Sequence, residues 1–284
     1  TVCDPCCGTG GMLTTSTDQI LEINPNAEVH LFGHESQPET FAICKADLYL
    51  KSADGHDADN IKFGSTLSNW LLGARRYDYQ CANPPYGKEW KMDQAVIETE
   101  AERGHAGRFG AGLPRISDGQ LLFLQHMLSR MKEPEDGGGR VAIVMNGSPL
   151  FTGDAGSGES EIRRWVLQND WLETIIALPE QLFYNTGIST YVWVLCNRKD
   201  KRRKGKVQLI DASGFWIQMR KSLGNKRREM SGDQLQQIVE VYTTVEAGEH
   251  SKIFDTTEFG YRKITVERPL RLNFQVSADR LDRS

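Results

Sequence analysis

The chain has 284 residues, of which 39% are hydrophobic and 25% are charged, and its formal net charge is −4. This length suits one large globular domain, or one domain with an appendage. The acidic balance excludes a protein that binds nucleic acid by bulk charge alone, so contacts with nucleic acid have to come from local patches or from partner subunits. No apolar run is long enough to span a bilayer and none resembles a secretory signal, so we expect a cytoplasmic protein with no membrane partner.

The first predicted elements are the end of a strand, a glycine-rich turn and the start of a helix, over residues 2–13. The turn has three glycines among four consecutive residues, Gly8, Thr9, Gly10 and Gly11. Glycine lets the backbone adopt a positive φ and approach a ligand closely. The helix, which we expect to run to about Ile23, would present free N–H groups at its N-terminus to a carboxylate or a phosphate.

The second predicted strand, residues 29–35, ends in an acid, Glu35. In dinucleotide-binding folds an acid roughly 20 residues after the glycine turn accepts hydrogen bonds from ribose hydroxyls. Glu35 lies a little further along the chain, near enough for the same role. The turn lacks the spaced glycines of NAD proteins and the terminal Gly-Lys of a P-loop. The pattern therefore favours a nucleoside-containing cofactor of another kind.

A helix over residues 38–51 and a strand with its exit loop over residues 61–67 come next, before a strand that ends in a rigid tip. This last segment is Tyr77–Gly87, with Asn83-Pro84-Pro85-Tyr86 at the tip. The prolines have no N–H, so the strand cannot continue past Asn83, and a residue before proline is held extended. The Asn83 amide oxygen and the Pro84 carbonyl, beside the Tyr86 ring, fit a planar exocyclic amine.

The rest of the chain contains one irregular stretch and a second group of predicted strands. Residues 88–117 mix charges with glycines, and we expect them to be a solvated insertion or a lid that closes on DNA, poorly ordered without DNA in either case. A capping box of Ser117 and Gln120 predicts the next helix. Strands are predicted at residues 140–145, 172–178, 189–196 and 207–211. The basic run at residues 199–206 is either a solvated hairpin tip or a phosphate-contacting loop.

The six cysteines are expected to be reduced thiols rather than metal ligands. Cys3 and Cys6 have the spacing of a metal-binding pair, but no second pair of cysteines or histidines follows at a zinc-ligand distance. Cys81 and Cys196 lie within apolar predicted strands, where a free cysteine behaves as a small hydrophobic residue. We therefore predict no metal site.

The glycine turn together with Asn83-Pro84-Pro85-Tyr86 resembles the modification (methyltransferase) subunits of type I restriction-modification systems, a family of DNA adenine-N6 methyltransferases. Residues 118–126 and 178–188 also resemble family motifs. The resemblance implies an α/β, Rossmann-like fold of the class I S-adenosylmethionine-dependent methyltransferases. In this fold a mostly parallel seven-stranded sheet is flanked by helices, and the last pair of strands is antiparallel. It further implies S-adenosylmethionine as cofactor, and DNA, a specificity subunit and a restriction subunit as partners.

The resemblance also implies the residues of the site. The catalytic tip would be Asn83, Pro84, Pro85 and Tyr86. The cofactor would be bound by Asp4, Pro5, Gly8, Thr9, Gly10, Gly11, Glu35, Ser65, Thr66, Leu67 and Asn83. Ser65 departs from the Asp or Asn that often contacts the cofactor adenine at this position. Phe183 and Tyr184 would line the pocket of the target base.

The same resemblance divides the chain in two. Residues 1–212 would form the catalytic domain, with its first strand truncated because the chain begins at Thr1 inside a predicted strand. Residues 213–284 would form a C-terminal extension, partly helical and partly extended, that lies outside the catalytic sheet and contacts other subunits.

Two other functions stay open at this point. Methyltransferases that modify a glutamine side chain of a protein also carry Asn-Pro-Pro-Tyr, and a side-chain amide presents a similar planar NH₂ group. The chain is also expected to be a fragment, because it begins without Met, and such a fragment is either active or an inactive piece with an assembly role.

Overall fold

The computed structural model describes residues 1–51, 55–184 and 186–268. The strands are β1 (Val2–Asp4), β2 (Leu31–Glu35), β3 (Ile61–Phe63), β4 (Tyr79–Ala82), β5 (Arg140–Asn146), β6 (Leu172–Ala177), β7 (Thr190–Cys196), β8 (Lys206–Asp211), β9 (Ile217–Leu223), β10 (Lys226–Glu229) and β11 (Ser251–Asp255). The helices are α1 (Gly11–Ile23), α2 (Pro38–Lys51), α3 (His56–Asp59), α4 (Gln94–Ala101), α5 (Gln120–Ser129), α6 (Ser148–Phe151), α7 (Gly158–Gln168) and α8 (Gly232–Thr244).

In the described part of the chain one sheet of nine strands has the order β3-β2-β1-β4-β5-β7-β6-β8-β11. The five strands from β3 to β5 in this order (β3, β2, β1, β4 and β5) are parallel to one another. Strand β7 runs antiparallel to both of its neighbours, β5 and β6. The first seven strands make the predicted α/β sheet with its late antiparallel strand. The sheet is larger than the seven strands expected, because β8 pairs parallel with β6 and β11 pairs antiparallel with β8.

Strand β11 belongs to the C-terminal extension, so the expectation that this region lies outside the sheet is wrong for residues 251–255. Helix α8 also packs on the sheet, where Ile238 joins a buried cluster with Ile176 and Ile210. The strand was not recognised because a short edge strand with one exposed face has a weak hydrophobic pattern.

The sheet is buried on both faces at the neighbouring parallel strands β1 and β2. Every residue of β1 and β2 is buried, as expected for parallel strands covered by helices on both sides. One cluster packs α1 and α2 against these strands, and a larger one packs α5 and α7 against β5 and β7. No helix within the described ranges is both long and apolar enough to cross a lipid bilayer.

Residues 88–117 are folded against the sheet domain, so the prediction of a poorly ordered stretch is wrong. Trp90, Ile97 and Phe109 are buried in a cluster that also contains Leu67 and Leu122. Of these three side chains only Ile97 lies in a helix, α4, whereas Trp90 and Phe109 lie in irregular segments. No continuous periodic pattern therefore links them, which explains why the sequence pattern missed the cluster.

A partly buried ion pair fixes the same segment. The Arg108 guanidinium contacts the Glu100 carboxylate at 2.6 Å and also donates to the main-chain carbonyls of Thr66 and Leu67, each at 2.8 Å. The segment is therefore tied to the loop that follows β3.

The basic run at residues 199–206 is partly structural. Lys199 is buried and contacts Asp170 at 2.6 Å, and Arg203 is buried over the ring of Tyr242. The run joins β7 to β8, and Cys196 at the end of β7 pairs with Arg140 at the start of β5. It therefore lies at the edge of the sheet opposite to Asn83, which argues against a phosphate contact beside the tip. The expectation of a solvated hairpin tip is also wrong, because β6 lies between β7 and β8 in the sheet and the run crosses over it.

Candidate active site

The carboxyl ends of three neighbouring strands bring the predicted site residues together. Strand β1 pairs in parallel with both β2 and β4, so their ends lie at one edge of the sheet. Asp4 ends β1, Glu35 ends β2, and Asn83 directly follows β4. Ligands of open α/β sheets bind at this edge.

The glycine turn leaves open space in front of helix α1. Gly8 and Gly10 have positive φ values of 54° and 84°. A Cβ atom added at Gly8 or Gly11 would meet no atom within 4 Å, whereas one at Gly10 would lie 2.8 Å from the Cys44 Sγ. Helix α1 has no side-chain cap at its N-terminus. The turn therefore offers uncapped N–H groups to a ligand that fills the space.

Glu35 fastens the glycine turn to the region before α2. Its Oε2 accepts a hydrogen bond from the Gly8 N–H at 2.8 Å, and its Oε1 accepts one from the Gln37 N–H at 2.7 Å. Each carboxylate oxygen can accept a second hydrogen bond. Glu35 is thus held rigidly and keeps the capacity to bind hydroxyl groups.

Asp4 is a buried acid with an unusual pKa. Its side chain is 2% exposed, and its Oδ1 accepts a hydrogen bond from the Cys6 N–H at 3.0 Å. Burial raises the pKa of Asp4 to about 7, outweighing the Cys6 hydrogen bonds, and the nearby Glu35 adds to the rise. A cation placed beside this carboxyl would favour its charged form.

The Asn83 tip faces solvent and contacts the glycine-turn region. Asn83 is exposed and Pro84 is buried. The Tyr86 hydroxyl donates a hydrogen bond to the Asn83 Oδ1 at 2.5 Å. Burial raises the pKa of the Cys6 thiol well above its usual value, and the nearby main-chain N–H of Asn83 opposes that rise. No described residue donates to the Pro84 carbonyl. The tip therefore presents two acceptor oxygens beside an aromatic ring, next to the loop that follows Asp4.

The loop after β3 closes another side of this region. The Thr66 hydroxyl donates to the carbonyl of Pro5. The hydroxyls of Ser65 and Ser68 both donate to the carboxylate of Asp93, the Ser65 bond being 3.1 Å long. Sequence reasoning missed Asp93, because it belongs to the segment that was expected to be poorly ordered. It places a carboxylate beside Ser65.

A polar network supports the strand next to the tip. The Gln120 Nε2 donates to the Asp118 carboxylate at 2.9 Å and to the Asn146 Oδ1 at 3.0 Å. The predicted capping box of Ser117 and Gln120 does not form, because α5 begins at Gln120 itself and the glutamine side chain turns to these partners. The network fixes the end of β5, which pairs with β4.

Phe183 and Tyr184 lie in the connection between β6 and β7. Thr190, which starts β7, pairs with Asn146 at the end of β5, so this connection emerges at the same edge as Asn83. Phe183 is half-buried and Tyr184 is 61% exposed. Among the described residues no cluster of His, Cys, Asp or Glu side chains has the arrangement of a metal site.

Comparison with known protein families shows the family to which the chain belongs. Residues 1–262 match the family model described as N-6 DNA Methylase. The chain belongs to the N-6 DNA methylase family. The match covers the glycine turn, the Asn83 tip, α8 and β11 alike.

Named relatives agree with this assignment. The chain is 30% identical over 260 residues to the type I restriction enzyme MjaVII methylase subunit of Methanocaldococcus jannaschii, covering 90% of this chain and 43% of that protein. It is 25% identical over 268 residues to the MjaIX methylase subunit of the same organism, covering 93% of this chain and 44% of that protein. The chain thus spans less than half the length of these relatives.

Solved structures confirm the fold. The methyltransferase subunit of the type I restriction-modification system from Streptococcus thermophilus superposes with a TM-score of 0.73 at 23% identity, covering 90% of this chain and 50% of that one. The EcoKI M protein gives a TM-score of 0.56 at 23% identity, covering 85% and 49%. The fold is that of the class I S-adenosylmethionine-dependent methyltransferases, as the sequence predicted.

Proposed function

We propose that this chain is the catalytic part of a type I modification subunit, which transfers a methyl group from S-adenosylmethionine to the N6 amine of adenine in DNA. One observation carries the proposal most directly. In a member of the N-6 DNA methylase family, the Asn83 amide oxygen and the Tyr86 ring form one hydrogen-bonded pair directly after β4, and β4 pairs with β1, the strand that ends in the buried Asp4.

The residues at the glycine turn fit S-adenosylmethionine. The methionine carboxylate would bind the uncapped N-terminus of α1 in the open space at Gly8 and Gly11. The methionine ammonium group would lie near Asp4, and the ribose hydroxyls would bind Glu35. Residues 65–67, with Asp93 behind them, would contact the adenine. When bound, this cofactor supplies an electrophilic methyl group on a sulfonium.

The Asn83 tip would prepare the accepting nitrogen. The lone pair of the adenine N6 is delocalised into the ring, so the amine is a poor nucleophile. Hydrogen bonds from its two N–H groups to the Asn83 Oδ1 and the Pro84 carbonyl favour a more tetrahedral nitrogen with an available lone pair. The Asn83 Oδ1 has a second lone pair for this bond while it accepts the Tyr86 hydroxyl.

The target base has to leave the duplex to reach this tip. Extrusion of a base costs a few kcal/mol. Stacking on an aromatic ring such as Tyr86 returns about 1–3 kcal/mol per base. Stacking and the two hydrogen bonds at the tip therefore offset most of the cost, and positioning of donor and acceptor supplies the catalysis.

The partners would be DNA, a specificity subunit that reads the sequence, and a restriction subunit. The relatives named as methylase subunits of type I restriction enzymes support this assembly. Residues 1–212 would carry the reaction and residues 213–284 would contact other subunits, although β11 of the extension completes the sheet edge. A role in DNA modification would place the chain in the cytoplasm of its cell.

A substrate competition tests this function. The purified chain is incubated with S-adenosylmethionine and either duplex DNA of mixed sequence or a glutamine-containing protein substrate. Mass spectrometry of the DNA nucleosides is expected to show N6-methyl-2′-deoxyadenosine as the product. Methylation of the glutamine side chain with unmodified DNA would replace the proposal with the protein-modifying alternative, and no methyl transfer to either substrate would contradict catalysis by the isolated chain.

A further inference from the structure

The β9–β10 hairpin is a basic element outside the main sheet. Residues 217–223 pair antiparallel with residues 226–229 through a short turn at Gly224 and Asn225. This hairpin of 13 residues carries five cationic side chains, Arg220, Lys221, Lys226, Arg227 and Arg228, and one carboxylate, Glu229. The whole chain has a formal net charge of −4, so positive charge is concentrated here against the overall balance.

Three of these cations have no partner within the described ranges. Arg220, Lys221 and Arg227 are exposed, and no ion pair or hydrogen bond engages their side chains. The other two are held by aromatic rings. The Arg228 guanidinium lies 4.0 Å from the ring centre of Trp216, and the Lys226 Nζ lies 5.2 Å from that of Tyr184.

Main-chain hydrogen bonds fix the hairpin to the loop after β6. The Asn225 N–H donates to the Tyr184 carbonyl at 3.0 Å, and the N–H groups of Arg227 and Arg228 donate to the Gln181 carbonyl at 3.0 and 3.2 Å. At Gly224, with a φ of 60°, a Cβ atom would lie 2.7 Å from the Tyr184 carbonyl oxygen. Only glycine allows this close approach, so the position of the hairpin is specified by the sequence.

The loop that holds the hairpin emerges at the same sheet edge as Asn83, because Thr190 pairs with Asn146. The three unpaired cations are therefore carried at the side of the sheet where the proposed reaction takes place. Exposed arginine and lysine side chains on a fixed backbone can bind phosphate groups, and this binding gains affinity from the counterions that DNA releases.

We propose that the β9–β10 hairpin binds backbone phosphates of the DNA duplex beside the nucleotide that is presented to Asn83. This inference rests on the proposed function, since it takes DNA as the substrate. It assigns the nonspecific part of the DNA affinity to Arg220, Lys221 and Arg227, and it explains how an acidic chain holds a polyanion at this edge.

The test compares DNA binding by two triple variants of the chain. In the first, Arg220→Ala, Lys221→Ala and Arg227→Ala remove the exposed hairpin cations. In the matched control, Lys201→Ala, Lys204→Ala and Lys206→Ala remove the same charge from the opposite edge of the sheet, where these side chains are also exposed. Fluorescence anisotropy with a mixed-sequence duplex gives Kd over a series of salt concentrations.

The hairpin variant is expected to bind DNA tenfold or more weakly at ~0.1 M salt, with the slope of log K against log salt reduced by about 0.9 for each lost phosphate contact. The control is expected to change Kd by less than about threefold. Arg220→Lys with Arg227→Lys keeps the charge and should keep the slope. Circular dichroism and thermal unfolding check that all variants are folded.

Three outcomes would overturn the inference. The first is an equal rise in Kd for duplex DNA in the two triple variants. The second is an unchanged slope of log K against log salt in the hairpin variant, which would show that these cations do not contact DNA phosphates and leave them to another polyanion such as an acidic protein surface. The third is no binding of duplex DNA by the wild-type chain even at low salt. Methylation of DNA that proceeds with hairpin-independent binding would refute the inference and leave the proposed function standing. DNA binding that depends on the hairpin, without any methyl transfer, would support the inference and contradict the proposed function.

Discussion

The hydroxyl of Tyr86 donates a 2.5 Å hydrogen bond to the amide oxygen of Asn83, so the ring and the acceptor of the proposed base site are coupled in one pair. Burial raises the pKa of Tyr86, with a smaller contribution from Cys6, which keeps the hydroxyl protonated and able to donate. The pair holds the Asn83 side chain in a defined position, in addition to the constraint imposed by Pro84.

This coupling separates two roles of Tyr86. Tyr86→Phe removes the hydrogen bond and keeps the ring, so we expect kcat/KM for duplex DNA to fall by less than about tenfold. Tyr86→Ala also removes the stacking surface, worth about 1–3 kcal/mol, and should cost roughly a further 5- to 150-fold. The measurement is the initial rate of N6-methyl-2′-deoxyadenosine formation in duplex DNA. Equal losses in the two variants would show that the ring does not stack on the base.

The space in front of the glycine turn predicts an effect of Gly11→Ala on the cofactor. Gly11 is the first residue of α1, and its added Cβ meets no protein atom. Alanine in a helix is favoured over glycine by about 0.5–1 kcal/mol, so the free energy of unfolding should stay the same or rise. The methyl group would occupy cofactor space, and calorimetry should show a Kd for S-adenosylmethionine raised on the order of tenfold.

Gly10→Ala serves as the contrasting control. Its Cβ would lie 2.8 Å from the Cys44 Sγ, and its φ of 84° is strained for alanine. This variant should lose roughly 1–2 kcal/mol of folding stability. A Gly11→Ala chain that binds the cofactor with unchanged affinity would contradict the assignment of the turn.

The raised pKa of Asp4 predicts how cofactor binding depends on pH. The carboxyl has a pKa of about 7 in the folded chain, so it is neutral below that pH and charged above it. Its attraction for the methionine ammonium group therefore weakens as pH falls from about 8 to 6, and Kd for S-adenosylmethionine should rise over that interval. Asp4→Asn should bind more weakly at pH 8 and lose this pH dependence.

The Asp4 carboxyl also makes the free energy of unfolding depend on pH. Its pKa is raised from 3.8 in an unfolded chain to about 7, so between these values the folded chain holds the extra proton. Its contribution to stability is therefore present below about pH 4 and is lost as pH rises through 7. Relative to wild type, Asp4→Asn should become more stable over this range in urea unfolding. An identical pH profile for the two chains would contradict the shift.

Arg108 predicts that residues 88–117 support the site. The guanidinium binds the Glu100 carboxylate and the carbonyls of Thr66 and Leu67, in a segment whose neighbours Trp90 and Phe109 are buried. Arg108→Ala leaves these partly buried acceptors without a partner and should cost about 1–3 kcal/mol of folding stability. Hydrogen exchange should then speed up in residues 88–117 and 65–67 together. Faster hydrogen exchange confined to residues near Arg108, with an unchanged rate in residues 65–67, would contradict the coupling.

The sequence predicted those parts of the site that local rules determine. The proline-terminated strand at Asn83 and the glycines of the first turn follow from backbone sterics, and the structure places both at one edge of the sheet. The alternation of strands and helices in the first half agrees with the parallel sheet that the family resemblance implied, since parallel strands are joined by crossover helices.

The parts that were missed depend on contacts distant in sequence. Asp93 reaches Ser65 across 28 residues, and Gln120 reaches Asn146 across 26. Burial of Lys199 and Arg203 depends on partners in other elements, Asp170 and Tyr242, so a run of charges looked fully solvated. No local pattern encodes such pairings.

The most direct measurement of the central claim uses Asn83→Ala in two assays on one protein preparation. Calorimetry with S-adenosylmethionine should give a Kd within about threefold of wild type, because the glycine turn, Asp4 and Glu35 are unchanged. Transfer of a labelled methyl group to duplex DNA should fall at least about 100-fold, as expected when an acceptor needed in the transition state is removed. A variant that binds the cofactor normally and methylates adenine at a near-normal rate would contradict the role of Asn83 in accepting the amine.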